Sequence, residues 1–218
     1  RPKQTLHAYE QIWTKSGSPL IISTLNIKDK LIKKTGWHVE IAMRYEDPGI
    51  DLALNNLKLK GFNKVYVVPL YPHNAMATTI TTKVEVERLA KEIHPEVELK
   101  FIKPFYKDEK YIKAISKGVR KYMLEHNFDK LIFSYHGIPK RQAKKTDLTG
   151  AHCFENNDCC EVESLGSSDC YKAHTVQSSI LIAKELGLKS SEWEIAYQSR
   201  IGPGWLTPFT DKRLERLP

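Results

Sequence analysis

Long apolar runs are missing from this chain. No stretch approaches the roughly 20 residues that a helix needs to cross a bilayer, and the amino terminus lacks the charged, apolar and small-residue zones of a secretory signal. The expected compartment is therefore the cytoplasm. Cysteine is scarce as well: Cys153, Cys159, Cys160 and Cys170 fall in one window, and there are no others. A disulfide framework is disfavoured in that compartment, and the paired C-x-x-C spacing of ordinary zinc ribbons is absent. Nor is there a sequence repeat, or a basic stripe studded with aromatics. The formal charge is +8, but the lysines are spread over many helical faces, which reads as solvated surface and not as a nucleic-acid site. Such a surface can still attract an acidic small molecule or the anionic lipid of the inner membrane face, so a peripheral membrane contact stays among the expectations.

What is present is alternation. With 218 residues the chain can bury one large core or two modest ones. A short helix is expected over 1–16, carrying Leu6, Tyr9 and Ile12 at helical spacing. Ser18 before Pro19 is a helix start and Gly36 a stop, with Ile21, Leu25 and Ile32 on one face between them. Period-two alternation of Trp37, Val39, Ile41, Met43 and Tyr45 predicts a strand; a helix follows from Ile50 to Lys60. The continuous apolar run Val65 to Leu70 predicts a strand buried on both faces. Helices over 78–94, 108–127 and 171–186, and strands over 97–102, 131–136 and 194–200, continue the pattern. In the helix over 108–127, Tyr111, Ile115, Val119 and Tyr122 or Met123 are expected inward. The polar stretch between Pro139 and Asp169 is longer than a compact domain spends on a connection, the mark of a functional or disordered loop.

This order implies an α/β fold with parallel sheets flanked by helices. Two similar lobes are expected, one over 1–98 and one over 99–218, the latter carrying the cysteine-bearing loop 139–170. In such folds ligands gather at the carboxyl ends of strands. Two strand ends stand out: Leu131-Ile132-Phe133-Ser134-Tyr135-His136 runs into Gly137-Ile138-Pro139, and Glu194-Ile195-Ala196-Tyr197-Gln198-Ser199-Arg200 runs into Ile201-Gly202-Pro203-Gly204-Trp205. Both ends are expected to face one pocket.

Ser134 to Pro139, followed by Tyr197 to Leu206, resembles the ferrochelatase family, which inserts ferrous iron into a porphyrin. Upstream, Gly17-Ser18-Pro19-Leu20, Met43-Arg44-Tyr45 and Pro69-Leu70-Tyr71-Pro72-His73 with Thr78-Thr79 resemble the same family's other signatures in the same order. The resemblance covers essentially the whole chain. It implies a chelatase-like fold of two similar Rossmann-like lobes, and haem synthesis as the activity, with protoporphyrin IX as the expected substrate. It also implies that the family's first strand and glycine loop would precede Arg1 and that an acidic partner of the histidine would follow Pro218, so the chain is expected to be part of a longer protein.

Metalation asks for a proton acceptor, because the pyrrole N–H protons must leave, and for walls that grip a bent ring. His136 suits the first task, since a neutral imidazole with an ordinary pKa of about 6.5 accepts a proton or ligates a metal near pH 7. By resemblance Tyr9, Tyr45 and Trp205 are the walls, and Arg44 faces the metal side. Arg1 and Ser18 occupy positions similar to the family's propionate contacts. Gln198 and Ser199 hold the second strand end.

Thiolate ligation is the leading reading of Cys153, Cys159, Cys160 and Cys170, with either zinc or a [2Fe–2S] cluster as the guest. Some ferrochelatases carry such a cluster, and in some bacterial members the ligands are internal, as here, which makes the cluster the expectation and points to the bacterial type. Met76 stands where cluster-bearing animal relatives have a cysteine. Two other readings are carried: a cobalt or nickel chelatase of the same fold, and a non-catalytic tetrapyrrole-binding or iron–sulfur sensing protein.

Overall fold

The computed structural model describes residues 7, 9–199 and 202–217. After a helical turn at 9–12, the elements are helix α1 (Pro19–Thr35), helix α2 (Ile50–Leu59), strand β1 (Lys64–Val67) and a π-helical turn (Met76–Ile80) that runs straight into helix α3 (Thr81–Ile93). Strand β2 (Glu98–Phe101), helix α4 (Glu109–Glu125), strand β3 (Leu131–His136) and the short helix α5 (Lys140–Lys144) follow. Helix α6 (Tyr171–Leu186), strand β4 (Trp193–Gln198) and the short helix α7 (Thr210–Leu214) complete them. β1 pairs with β2 and β3 with β4, the latter pair in parallel. This is the α/β architecture that the alternation implied. Among the described residues no helix is long and apolar enough to cross a membrane.

Local chemistry explains the helix limits. α1 begins with Pro19 and closes on Gly36 at φ 69, a left-handed cap conformation that costs glycine no steric clash. α4 starts at Asp108, whose carboxylate accepts from the N–H groups of Lys110 and Tyr111 at 3.0 and 3.1 Å, satisfying donors that a first turn leaves unpaired. α6 ends on Gly187 at φ 75.

Two compact units emerge: one takes the chain up to Val67 together with Val84–Lys100, the other Val68–Lys83 together with the chain from Phe101 onward. The buried residues of the first include Ile50, Ala53 and Leu54 of α2 and Val86 and Ala90 of α3. The second buries one core around the β3–β4 pair and α6: Ile138, Ala143, Ala173, Tyr197, Leu206 and all four cysteines, with Tyr135, Phe154, Tyr171, Val176 and Ile195 packed against it.

Three local expectations are corrected. Residues 37–42 form no ladder, and Met43 makes only an isolated bridge to Gly49. Alternation of polarity reports two faces, while a strand also needs a partner backbone; here the faces are used by rings, Trp37 stacking on Tyr66 at 5.5 Å and His38 on Phe62 at 5.3 Å. The run 65–70 is not buried on both sides: β1 alternates exposed and half-buried, and Val68 and Leu70 are exposed. In α4, Tyr111, Val119 and Met123 are half-buried as expected, but Ile115 is exposed and the buried residues are Ile112 and Ser116. α4 packs against α6, and its fully buried residue is the small Ser116, so bulk alone does not mark the inward face. Of the expected helix over 1–16, residues 1–6 and 8 lie outside the described residues and 9–12 form the helical turn, which ends before 13; the apolar face of α1 has no buried residue.

Candidate active site

β3 and β4 keep register from Leu131 opposite Trp193 to His136 opposite Gln198. Both strands therefore end at one level. The period of two places Tyr135 and Tyr197 on one face and His136 and Gln198 on the other; accordingly Tyr197 is buried and Tyr135 half-buried, while the His136 side chain is exposed.

Backbone geometry at the strand ends brings in Trp205. The Gly137 N–H donates to the Gln198 carbonyl at 2.8 Å. A Cβ at position 137 would lie 2.8 Å from that same oxygen and 3.5 Å from Trp205 Cε3, so the approach requires glycine. The Leu206 N–H donates to Ile138 O at 2.9 Å and the Lys140 N–H to Gly204 O at 2.8 Å, and Pro139 bridges Trp205. Ser199, at φ 61, turns the chain in the left-handed region that serine rarely adopts. His136, Gln198, Ser199 and Trp205 are thus gathered at the strand ends of the second unit.

Hydroxyls anchor this edge to α6. Tyr135 Oη donates to Ser179 Oγ at 2.8 Å, because the Ser179 proton goes to Thr175 O at 2.9 Å. Likewise Tyr197 Oη donates to Thr175 Oγ1 at 3.0 Å, whose own proton goes to Lys172 O at 2.8 Å. Tyr171 Oη donates to the His136 carbonyl at 2.8 Å. Burial pushes the Tyr135 and Tyr171 phenols up to about 12 and Tyr197 higher still, so all three stay protonated donors at neutral pH.

Two histidines lie behind them, His73 half-buried and His174 buried. His73 is edge-on to Tyr135 and Tyr171 at 5.3 and 6.0 Å. Its Nε2–H donates to Ser178 Oγ at 3.1 Å, since Ser178 gives its proton to Tyr106 O at 2.7 Å. Burial, then the neighbouring His174, lowers the His73 pKa to about 4. His174 accepts from the Asn74 N–H at Nδ1, 3.0 Å, and donates from Nε2 to Ser168 O, 2.8 Å; burial lowers its pKa too. Neither was singled out by sequence reasoning. His73 was visible only as the end of a signature, and no local pattern marks His174 or Tyr171.

The other candidates belong to the first unit, and Arg1 lies outside the described residues. The Arg44 guanidinium sits 4.7 Å over the ring of Tyr45, a cation–π contact. Its Nε is buried with no hydrogen-bond partner among the described residues. Both residues line a cavity of about 500 Å³ whose walls also carry Glu46, Asp47, Asp51 and Glu85. Ser18 holds the position before α1 without using its side chain as a cap, and Tyr9 is 54% exposed.

All four cysteines are free and buried, each at most 5% exposed. They sit in one buried core, with the Cys159 and Cys160 sulfurs 3.7 Å apart. The Cys160 thiol and the N–H groups of Ala173 and Lys172 favour thiolate at Cys170, the residue preceding α6, where a helix start supplies free donors. Asp147 shapes the loop: its Oδ2 accepts from the His152 and Cys153 N–H groups, both at 2.8 Å, and its Oδ1 from the Thr149 N–H at 2.9 Å. Soft, clustered thiols are a donor set suited to zinc or an iron–sulfur centre. Among the described residues no group of three or more His, Cys, Asp or Glu side chains is arranged to hold a metal ion.

Comparison with known proteins agrees with the resemblance of the strand ends. The family model described as Ferrochelatase matches residues 1–218. The ferrochelatase of Pseudomonas fluorescens (strain Pf0-1) is 37% identical over 222 residues, covering all of this chain and 64% of the relative. Ferrochelatases of Pseudomonas savastanoi pv. phaseolicola and Opitutus terrae are 36% and 39% identical over 220 residues with the same coverage. The chain spans 64% of the length of these curated relatives. A match over every signature from Ser18 to Trp205 leaves one conclusion: the chain belongs to the ferrochelatase family.

Proposed function

We propose that the protein of which this chain is part inserts ferrous iron into a porphyrin, with protoporphyrin IX as substrate, to make haem. The observation that carries the reading is the exposed His136 at the end of β3, opposite Gln198 and beside the Trp205 loop. His136 takes the pyrrole protons as the ring is metalated or ligates the incoming iron; the reaction changes no oxidation state. Trp205 and Tyr45, with Tyr9, grip the bent ring. A wall that holds the distorted ring better than the flat one lowers the barrier. Arg44, whose Nε has no hydrogen-bond partner among the described residues and whose guanidinium stacks on Tyr45, lies on the metal side. Arg1 and Ser18 hold propionates, and Gln198 and Ser199 fix the second strand end. The cytoplasm, with a peripheral contact at the inner membrane face, is the working place.

Cys153, Cys159, Cys160 and Cys170 hold a [2Fe–2S] cluster in this reading. What supports it is that four free, buried thiols are gathered in one core. The cluster brings redox-active iron, for which metal insertion has no use, so its role is structural or sensing.

The test is anaerobic. Purified chain is mixed with protoporphyrin and ferrous iron, and the multi-banded visible spectrum of free porphyrin should collapse to that of the metalated ring, but not with His136→Ala. Bound porphyrin with an unchanged spectrum overturns self-sufficient catalysis by this chain and favours the tetrapyrrole-binding alternative. Iron, sulfide and zinc content of the same preparation decides the cysteine guest.

A further inference from the structure

We infer that Tyr171 is a positioning residue for His136 and that it makes the place of His136 depend on whether the cysteine group is ligated. The inference rests on the proposed function for its meaning, but its evidence is the geometry of the second unit. Cys170 and Tyr171 are consecutive, the last residue before α6 and its first. One is buried in the same core as Cys153, Cys159 and Cys160; the other donates its phenol proton to the His136 carbonyl at 2.8 Å. Consecutive residues at a helix start move together, because the Cys170 carbonyl already accepts from the His174 N–H at 2.9 Å and its N–H donates to Ser167 O at 3.1 Å.

The coupling has a second strut. The core that buries the cysteines also buries Ile138 and Leu206, and the Tyr171 ring packs against it. Ile138 follows the Gly137 turn, and Leu206 follows Trp205. A shift of the cysteine loop is therefore passed to the same turn by packing and by the phenol. Close-packed interiors transmit such shifts because they have no slack. The phenol is the part that can be removed without emptying the core, since Tyr171→Phe keeps the ring.

Hydrogen exchange tests this without relying on turnover. The full chain is treated with chelator and then loaded with cadmium ion as a thiolate probe, and exchange is followed in peptides covering 131–139, with α4 as a folding reference. In the unsubstituted chain cadmium should slow exchange in 131–139 by about fivefold, the scale of one net hydrogen bond. Tyr171→Phe should lose most of that difference, and Cys153→Ser, given the same cadmium, should show none. Equal slowing in Tyr171→Phe, no slowing in the unsubstituted chain, or slowing that survives in Cys153→Ser each overturns the inference. Where chelatase turnover is measurable, Tyr171→Phe should lower kcat by about fivefold and leave KM for porphyrin unchanged, a split expected of a positioning residue. A chain without turnover would count against the proposed function alone, because the exchange result stands by itself.

Discussion

Tyr135 and Tyr197 are register partners at the end of the parallel pair, their rings 6.5 Å apart, and both give their phenol protons to hydroxyls of α6. Each acceptor has already spent its own proton on a backbone carbonyl one turn back along the helix. The direction of every bond is thereby settled, and the edge that carries His136 is tied to α6 by donors that cannot reverse. A bonded polar layer of this kind fixes one arrangement where an apolar layer tolerates several.

The two ends of one such bond should not be equivalent. Tyr197→Phe removes the donor but leaves Thr175 Oγ1 bonded to Lys172 O, so unfolding free energy should fall by about 1 kcal/mol. Thr175→Val leaves the Tyr197 hydroxyl buried, in a residue only 2% exposed, without an acceptor, and should cost about 2–3 kcal/mol. Urea midpoints of both variants decide; equal losses would mean the phenol finds another partner.

Gly137 and Gly118 should respond to alanine with opposite signs. At Gly137 the added carbon meets the Gln198 carbonyl at 2.8 Å; because that atom is backbone, the strand end must shift, costing about 1–3 kcal/mol. Porphyrin metalation should fall with it. At Gly118, inside α4, a Cβ meets nothing within 4 Å, and helix propensity should raise stability by about 0.5–1 kcal/mol. Thermal melts and the spectral assay on both proteins check the pair.

Acid should destabilise the second unit through His73. Its folded pKa is about 4 against an unfolded value of about 6.5, so between these values the unfolded chain binds the proton and the folded one does not. The stability linked to this group is intact above pH 6.5 and lost as pH falls towards 4, up to about 3 kcal/mol. His73→Gln should flatten the dependence between pH 7.5 and 4.5. A residual slope belongs to His174, whose pKa is lowered in the same direction. An unchanged slope in the variant would remove His73 as its source.

What could be read from the sequence was what is written locally. Ser18-Pro19 with Gly36, Asp108, and Gly187 mark helix ends that the structure reproduces within a residue or two, because caps are chemistry between near neighbours. The His136 strand end was legible for the same reason, glycine and proline following an apolar run. Pairing was not: the alternation over 37–45 carried no information about a partner. Nor was the environment of α6, which buries residues almost all round, from Ala173 and His174 to Ile182 and Ala183, so no period singled out His174. Contacts such as His73 to Ser178, 105 residues apart, and Tyr171 to His136, 35 apart, leave no trace in spacing at all.

Asp147 should govern access to the cysteines. Its carboxylate collects the His152 and Cys153 N–H groups on one oxygen and the Thr149 N–H, Thr149 hydroxyl and Gly150 N–H on the other. These donors, the Thr149 hydroxyl first, hold its pKa well below the ordinary carboxylate range. The stability it brings is therefore present above the unfolded value of about 3.9 and lost only as pH falls below it. Asparagine keeps one acceptor oxygen and turns an NH₂ group towards two of the donors, which unseats the loop at Cys153. In chelator-treated protein Asp147→Asn should speed alkylation of Cys153 by about tenfold or more, read by mass spectrometry of the labelled peptide. Glu155→Gln, an exposed carboxylate of the same loop, should leave the rate unchanged. If both variants label at the original rate, the burial of Cys153 comes from the core around Ile138 and Leu206 and owes nothing to the carboxylate.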